Sequence, residues 1–280
     1  MSAGPEVAIS FADRRLWPLV GLAALTALGF LVSAPIPQDP AYHLFADRRL
    51  CIGVPNFANV VSNAGFAVVG LWGFWLVLGL ERQTLFTRPE DCWPYITFFI
   101  GVAAVSVGSA YYHAAPDDTR LFWDRLPMTV AFMGLFAAIV ADRVDRRSGL
   151  RWVLPLGVAF GVTSLLYWLW TEAQGRGDLR PYGLVQFLPI AAVPLIAWKF
   201  PAGRYTHGRD LVSLFLWYAV AKVLEHLDGP ILAWTAGLVS GHSLKHLAAA
   251  VATFVVVRML RRASSPRPAA ALSSSPPIPP

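Results

Sequence analysis

The chain is poor in charge. Only 14% of its 280 residues are Asp, Glu, Lys or Arg, against roughly 25% in soluble domains, and its mean hydropathy is +0.51. That shortage excludes an ordinary soluble domain. It also changes the meaning of the +6 net charge, which in a soluble protein would point to nucleic acid and here serves to orient a membrane protein. Cysteine is almost absent. Cys51 and Cys92 are the only two, so no disulfide framework is implied. No sequence repeat is evident.

What the chain has instead is long apolar runs. Several exceed 18 residues without a charge, the length a helix needs to cross a bilayer. Eight segments stand out, at about 16–35, 56–80, 93–114, 124–141, 152–171, 182–199, 211–226 and 238–260. The expected fold is therefore all-α, a polytopic helical bundle. Gly and Pro recur inside the runs, as membrane helices tolerate. The seventh run is crowded at its end by Lys222, Glu225, His226 and Asp228. The stretch 263–280, "ASSPRPAAALSSSPPIPP", has the composition of a disordered tail.

Residues 1–15 read as a cytoplasmic segment and 16–35 as an additional N-terminal helix. Arg14 and Arg15, an apolar run and "VSA" would also fit a secretory signal with its cleavage site. The run is longer than the 7–15 residues of a signal core, which favours a retained helix. Either reading leaves residues 36–55 outside. With the N-terminus inside, the inner segments hold 15 Lys and Arg and the outer ones 6; Lys222 and Lys245 fall within spans. This bias predicts eight spans with both ends cytoplasmic, and it places Cys51 and Cys92 near opposite faces.

In that frame one stretch carries the chemistry. "GSAYYHAAPDDTRLFWDRLPM", residues 108–128, joins the end of the third run to the start of the fourth, and "GHSLKH", 241–246, opens the eighth. All lie at one depth, near the outer boundary of the hydrocarbon. Residues four apart share a helix face, so Ser109 sits one turn from His113, and His242 lies beside His246. Three imidazoles and a carboxylate thus converge, a set suited to zinc with one open coordination position. Spacing alone leaves other readings open: interfacial histidines with ordinary hydrogen bonds, and Asp124 as a helix N-cap with Pro127 in the first turn.

Ser109-x-x-x-His113, the eleven-residue step to Asp124 in "WDRLPM", and His242-x-x-x-His246 resemble the alkaline ceramidase family. They also resemble the wider superfamily of seven-helix membrane zinc hydrolases that includes adiponectin-type receptors. "NFANVVSN", 56–63, is similar to the start of that family's first core helix, so the resemblance covers roughly 50–260. It implies a prokaryotic-type member whose seven-helix membrane domain, 36–262, follows one extra helix. It further implies that His113, His242 and His246 bind Zn2+, and that Asp124 and Ser109 act on the attacking water and the reacting carbonyl. The chain departs from the eukaryotic pattern where an acidic calcium site precedes the first core helix. Here the region reads "ADRRLCIGVPN", with Asn56 in place of a glutamate.

The implied activity is hydrolysis of the N-acyl linkage of a ceramide-like lipid, at a site near the non-cytoplasmic face of a bacterial plasma membrane. No nucleic-acid partner is expected, and the oligomeric state is left open. A receptor on the same scaffold with structural zinc, a hydrolase of another lipid and a transporter are the competing classes. Ionisable groups clustered at one level favour a site over a path. Asn59 and Asn63 share a helix face and read as interhelical hydrogen-bond formers. Lys245 is expected to snorkel or to pair with Glu225 or Asp228, His226 is an alternative metal ligand, and Tyr111, Tyr112 and Trp123 fit an interfacial belt.

Overall fold

The computed structural model describes residues 13–79 and 85–264. Among these there is no β-strand, only an isolated bridge between Cys51 and Val54. The helices are α1 (Trp17–Val32), α2 (Phe57–Leu78), α3 (Trp93–Ala114), α4 (Asp118–Arg143), α5 (Leu154–Ala173), α6 (Arg180–Lys199), α7 (Gly208–His226), the short α8 (Asp228–Trp234) and α9 (Gly241–Ser264). The chain is an all-α bundle in which α1 to α6 and α9 are long and apolar enough to cross a membrane. Their outer faces carry exposed Leu25, Trp75, Val107, Trp198 and Leu247, the side chains a lipid-facing surface requires.

The seventh run of the sequence forms α7, but Arg209, Asp210, Lys222 and Glu225 keep it out of that set. It still lies antiparallel along α9. Arg258 and Arg262 near the end of α9 reach Asp210 at 3.1 and 2.8 Å, and Lys245 near its start reaches Glu225 at 2.5 Å. Asp210 at one end of α7 and Lys222 and Glu225 at the other are thus paired. At the far end Leu211 joins Ile139, Val193, Ile196 and Phe200 in one cluster. From there toward the other end α7 follows α9.

Several boundaries differ from the sequence reading by a few residues, and the additional N-terminal helix ends at Val32, short of 35, where Ser33 turns extended. The fourth helix begins at Asp118, six residues ahead of the expected 124, because the Asp117 carboxylate caps it by accepting the Arg120 N–H at 2.7 Å. Asp124 is therefore not the N-cap, and Pro127 lies inside the helix. The last helix continues to Ser264, beyond 262. Most of the expected N-terminal segment and tail, and Arg82 of the inner charge set, lie outside the described residues.

Close approach of α3 and α4 depends on glycine, as Gly101 and Gly108 show. A Cβ on Gly101 of α3 would lie 2.5 Å from the Ala131 backbone nitrogen of α4, and one on Gly108 would overlap the Trp123 carbonyl oxygen. Only a residue without a side chain lets the two backbones pack this tightly. Gly108 precedes Ser109, and Trp123 precedes Asp124, so the contact fixes the two polar groups opposite each other. The added α1 lies on the periphery against α6, held where Arg180 donates to the Phe30 and Ser33 carbonyls.

Candidate metal centre

The end of α3 and the start of α9 meet at one end of the bundle, and there the three histidines come together. His113, His242 and His246 are buried, and their ligand nitrogens all lie within 4.8 Å of one another. His113 Nε2 and His242 Nε2 are 3.3 Å apart. A tetrahedral site with metal–nitrogen bonds of about 2.0–2.1 Å separates its nitrogens by about 3.3 Å, so this pair already has the spacing of two ligands on one ion. The three residues can hold a metal ion.

Surrounding groups orient the rings. Ser62 Oγ lies 2.8 Å from His246 Nδ1 and 3.1 Å from the Asn59 carbonyl oxygen. A hydroxyl has one proton. Donated to the Asn59 carbonyl, it leaves Ser62 to accept from His246 Nδ1–H, so the donor inventory assigns the lone pair to Nε2, the nitrogen free for a metal. α2 breaks at Ser62 and Asn63, between its segments Phe57–Val61 and Ala64–Leu78, which is how a helix-interior serine reaches across to α9. His113 Nδ1 is buried without a hydrogen-bond partner. Packing holds its ring instead: Phe45 sits edge-on with its centroid 4.6 Å from both the His113 and His242 rings.

The backbone around the ligands is tied as well. Asn56, in the left-handed region at φ 49°, donates from Nδ2 to the His113 carbonyl at 2.8 Å. Asp228 accepts the His242 N–H at 2.8 Å and the Ala46 N–H at 2.9 Å, capping α9 while pinning the 45–47 strap beside Phe45. Asn59 Oδ1 accepts from Ser243 at 2.8 Å, joining α2 to α9. Asn63 turns back to the Asn59 carbonyl on its own helix at 2.8 Å. In the strap, the Arg49 guanidinium beside Asp47 holds that carboxyl below its ordinary range.

Ser109 and Asp124 face each other across the α3–α4 contact. Both line, with His246, a cavity of about 310 Å³. Its deeper wall is apolar: Phe98, Val102, Ala131, Leu135 and Leu214. From Ser109 to Phe98 is three turns of α3, about 16 Å at 1.5 Å per residue. Lys245 pairs with Glu225, as does Lys222 at 2.5 Å. His226 is exposed and stands apart from the histidine cluster. Tyr112 is fully buried beside His43, whose Nδ1 lies 3.0 Å from its hydroxyl, whereas Tyr111 and Trp123 are exposed as a belt requires. Sequence reasoning did not find Phe45, Ser62 or the capping role of Asp228. Of these only Asp228, an acid thirteen residues before "GHSLKH", left a trace there.

A partial match, 25% identical over an alignment of 170 residues, is to a Dictyostelium discoideum protein named "Putative alkaline ceramidase dcd3A". The match covers 54% of this chain and 59% of that protein, so the chain spans about three fifths of the relative's length. No protein-family model and no solved structure matches the chain.

Proposed function

We propose that the chain is a zinc-dependent amide hydrolase of the membrane that cleaves N-acyl lipids of the ceramide type, giving a fatty acid and an amine. The observation that carries this reading is the cavity itself: a carboxylate, a hydroxyl and His246 of the buried histidine triad stand at one end of an apolar slot about three helical turns deep. The similarity to the slime-mould protein supports it. His113, His242 and His246 are the proposed ligands. Zinc held there would polarise a carbonyl as a Lewis acid and lower the pKa of a water to about 7.

The remaining work falls to side chains. Asp124 accepts the proton of the attacking water and passes it to the departing amine. Ser109, one helical turn before His113, donates to the oxygen on which charge develops. The apolar wall holds the acyl chain and excludes water. In the orientation set by the positive-inside bias, the site opens near the non-cytoplasmic face of a bacterial plasma membrane. The domain layout follows: a seven-helix catalytic domain with one peripheral helix before it.

The test is incubation of purified protein with a panel of N-acyl lipids, reading fatty-acid release with and without a zinc chelator. Asp124→Asn keeps shape and removes the base. It should fold and retain zinc while hydrolysis falls about 10²–10⁴-fold, the contribution of one general acid–base group. Full activity in that variant removes Asp124 from the mechanism.

A further inference from the structure

The residue after Asp124 has an unfinished electrostatic environment. Arg125, a cation, is only 7% exposed. Three aromatic rings surround it: the guanidinium carbon lies 5.4 Å from the Tyr42 centroid, 4.8 Å from Trp168 and 5.0 Å from Tyr182. These faces stabilise a cation but accept no hydrogen bond along its edge. Nη2 donates to Gln38 Oε1 at 2.7 Å, a neutral acceptor. Nη1 is buried with no partner, and no carboxylate among the described residues forms an ion pair with Arg125.

The other charges on the cavity wall are already committed. Glu225 is shared by Lys222 and Lys245, and Asp124 faces Ser109 and attracts Arg125 and Lys245 only from beyond ion-pair distance. Arg125 is thus the cation left over, lining the cavity with Tyr42, Tyr182 and Gln186 at the polar end, opposite the apolar depth. A desolvated guanidinium with a free N–H calls for an oxyanion.

We infer that Arg125 and its aromatic cage bind an oxyanion on the amine side of the substrate, so that, among the N-acyl lipids of the proposed function, those carrying a carboxylate or phosphate there are preferred over neutral ceramide-type ones. This deepens the amide-hydrolase reading and rests on it for turnover alone. Adjacency to Asp124 puts the anionic group on the side of the departing amine, while the acyl chain lies in the apolar slot.

Two probes of near-equal size separate charge from shape: N-palmitoylglycine and N-palmitoylethanolamine. Wild-type protein should favour the former in kcat/KM by about tenfold to a hundredfold, the span of a charge-assisted hydrogen bond. In Arg125→Gln the ratio should fall toward one, and Arg125→Lys should keep part of it. Tyr42→Leu opens the cage at its exposed edge and should lower the same ratio even if the arginine variants fail to fold. N-palmitoyl O-phosphoethanolamine tells phosphate from carboxylate: whichever anionic probe is favoured identifies the oxyanion.

Equal rates on charged and neutral probes in the wild type overturn the inference and leave the hydrolase reading standing. So does a preference that survives in folded Arg125→Gln, or in Tyr42→Leu where the arginine variants do not fold. If no amide is cleaved, equilibrium binding of the same probes decides. Tighter binding of N-palmitoylglycine that Arg125→Gln or Tyr42→Leu weakens supports the oxyanion site while the hydrolase reading fails, and equal binding overturns both.

Discussion

Removing one hydroxyl tests how the metal centre is built. Ser62→Ala deletes the acceptor 2.8 Å from His246 Nδ1. The ligand itself stays in place, but its ring loses the partner that sets which nitrogen carries the proton. Loss of such an outer partner typically costs 10–100-fold in metal affinity. The Asn59 carbonyl also lies within reach of the His246 ring and retains part of the orientation, so the expected loss is near the lower end, about tenfold or about 1.4 kcal/mol. Folding should change less: the serine is only partly buried, and a typical hydrogen bond contributes about 0.5–1.5 kcal/mol. The assay is zinc competition against a chelator of known affinity, with thermal unfolding of the zinc-loaded protein measured alongside. Ser62→Thr, which keeps the hydroxyl, should bind zinc more tightly than Ser62→Ala. Unchanged affinity in Ser62→Ala would refute the tautomer argument. Loss of the fold with loss of metal would make the serine a structural element of the α2 break.

Elemental analysis should find about one zinc per chain, lost in His113→Ala, His242→Ala and His246→Ala and kept in His207→Ala and His226→Ala; retention in the three ligand variants ends the assignment. Gly108→Ala drives a methyl group into the Trp123 carbonyl. Overpacking of this kind costs about 1–3 kcal/mol, so thermal stability and zinc retention should both fall, and a wild-type melting curve would show that α3 and α4 are less constrained than described. Cys51 is exposed and Cys92 buried. An impermeant thiol reagent should therefore label intact cells at Cys51 and not in Cys51→Ser, and labelling only after lysis would reverse the orientation.

How much of this was legible in sequence follows from the range of each interaction. The apolar runs and the i, i+4 histidine pair are local patterns, and the helices appear where those patterns lie. α4 departs because two aspartates compete for the start of one helix. Asp117 wins, and the cap frees Asp124 to stand one turn and a half inside, facing Ser109. Ser62 and His246 are 184 residues apart, and Phe45 touches rings on both α3 and α9; no local periodicity encodes such pairs. Arg125 looked like an ordinary outer-loop charge and contributed to the topology count, because nothing nearby in sequence announces a cage drawn from residues 42, 168 and 182. Asn59 was readable, since a buried amide in a membrane helix must find a partner, and Ser243 is that partner.

The division of the histidines between α3 and α9 has a consequence for biosynthesis. A nascent chain that has emerged through α7 holds only His113 of the three, and a single imidazole does not retain a metal against cellular competitors. The centre can close only after α9 has been made, has entered the bilayer, and has docked on α2 through Ser243 and on the 45–47 strap through Asp228. A metal held by these three histidines would then be acquired as the last event of assembly, and metal content would become a quality-control readout. On the proposed function, a chain stalled or mis-inserted at any earlier helix would stay empty and would be inert toward the lipids of the membrane that is receiving it.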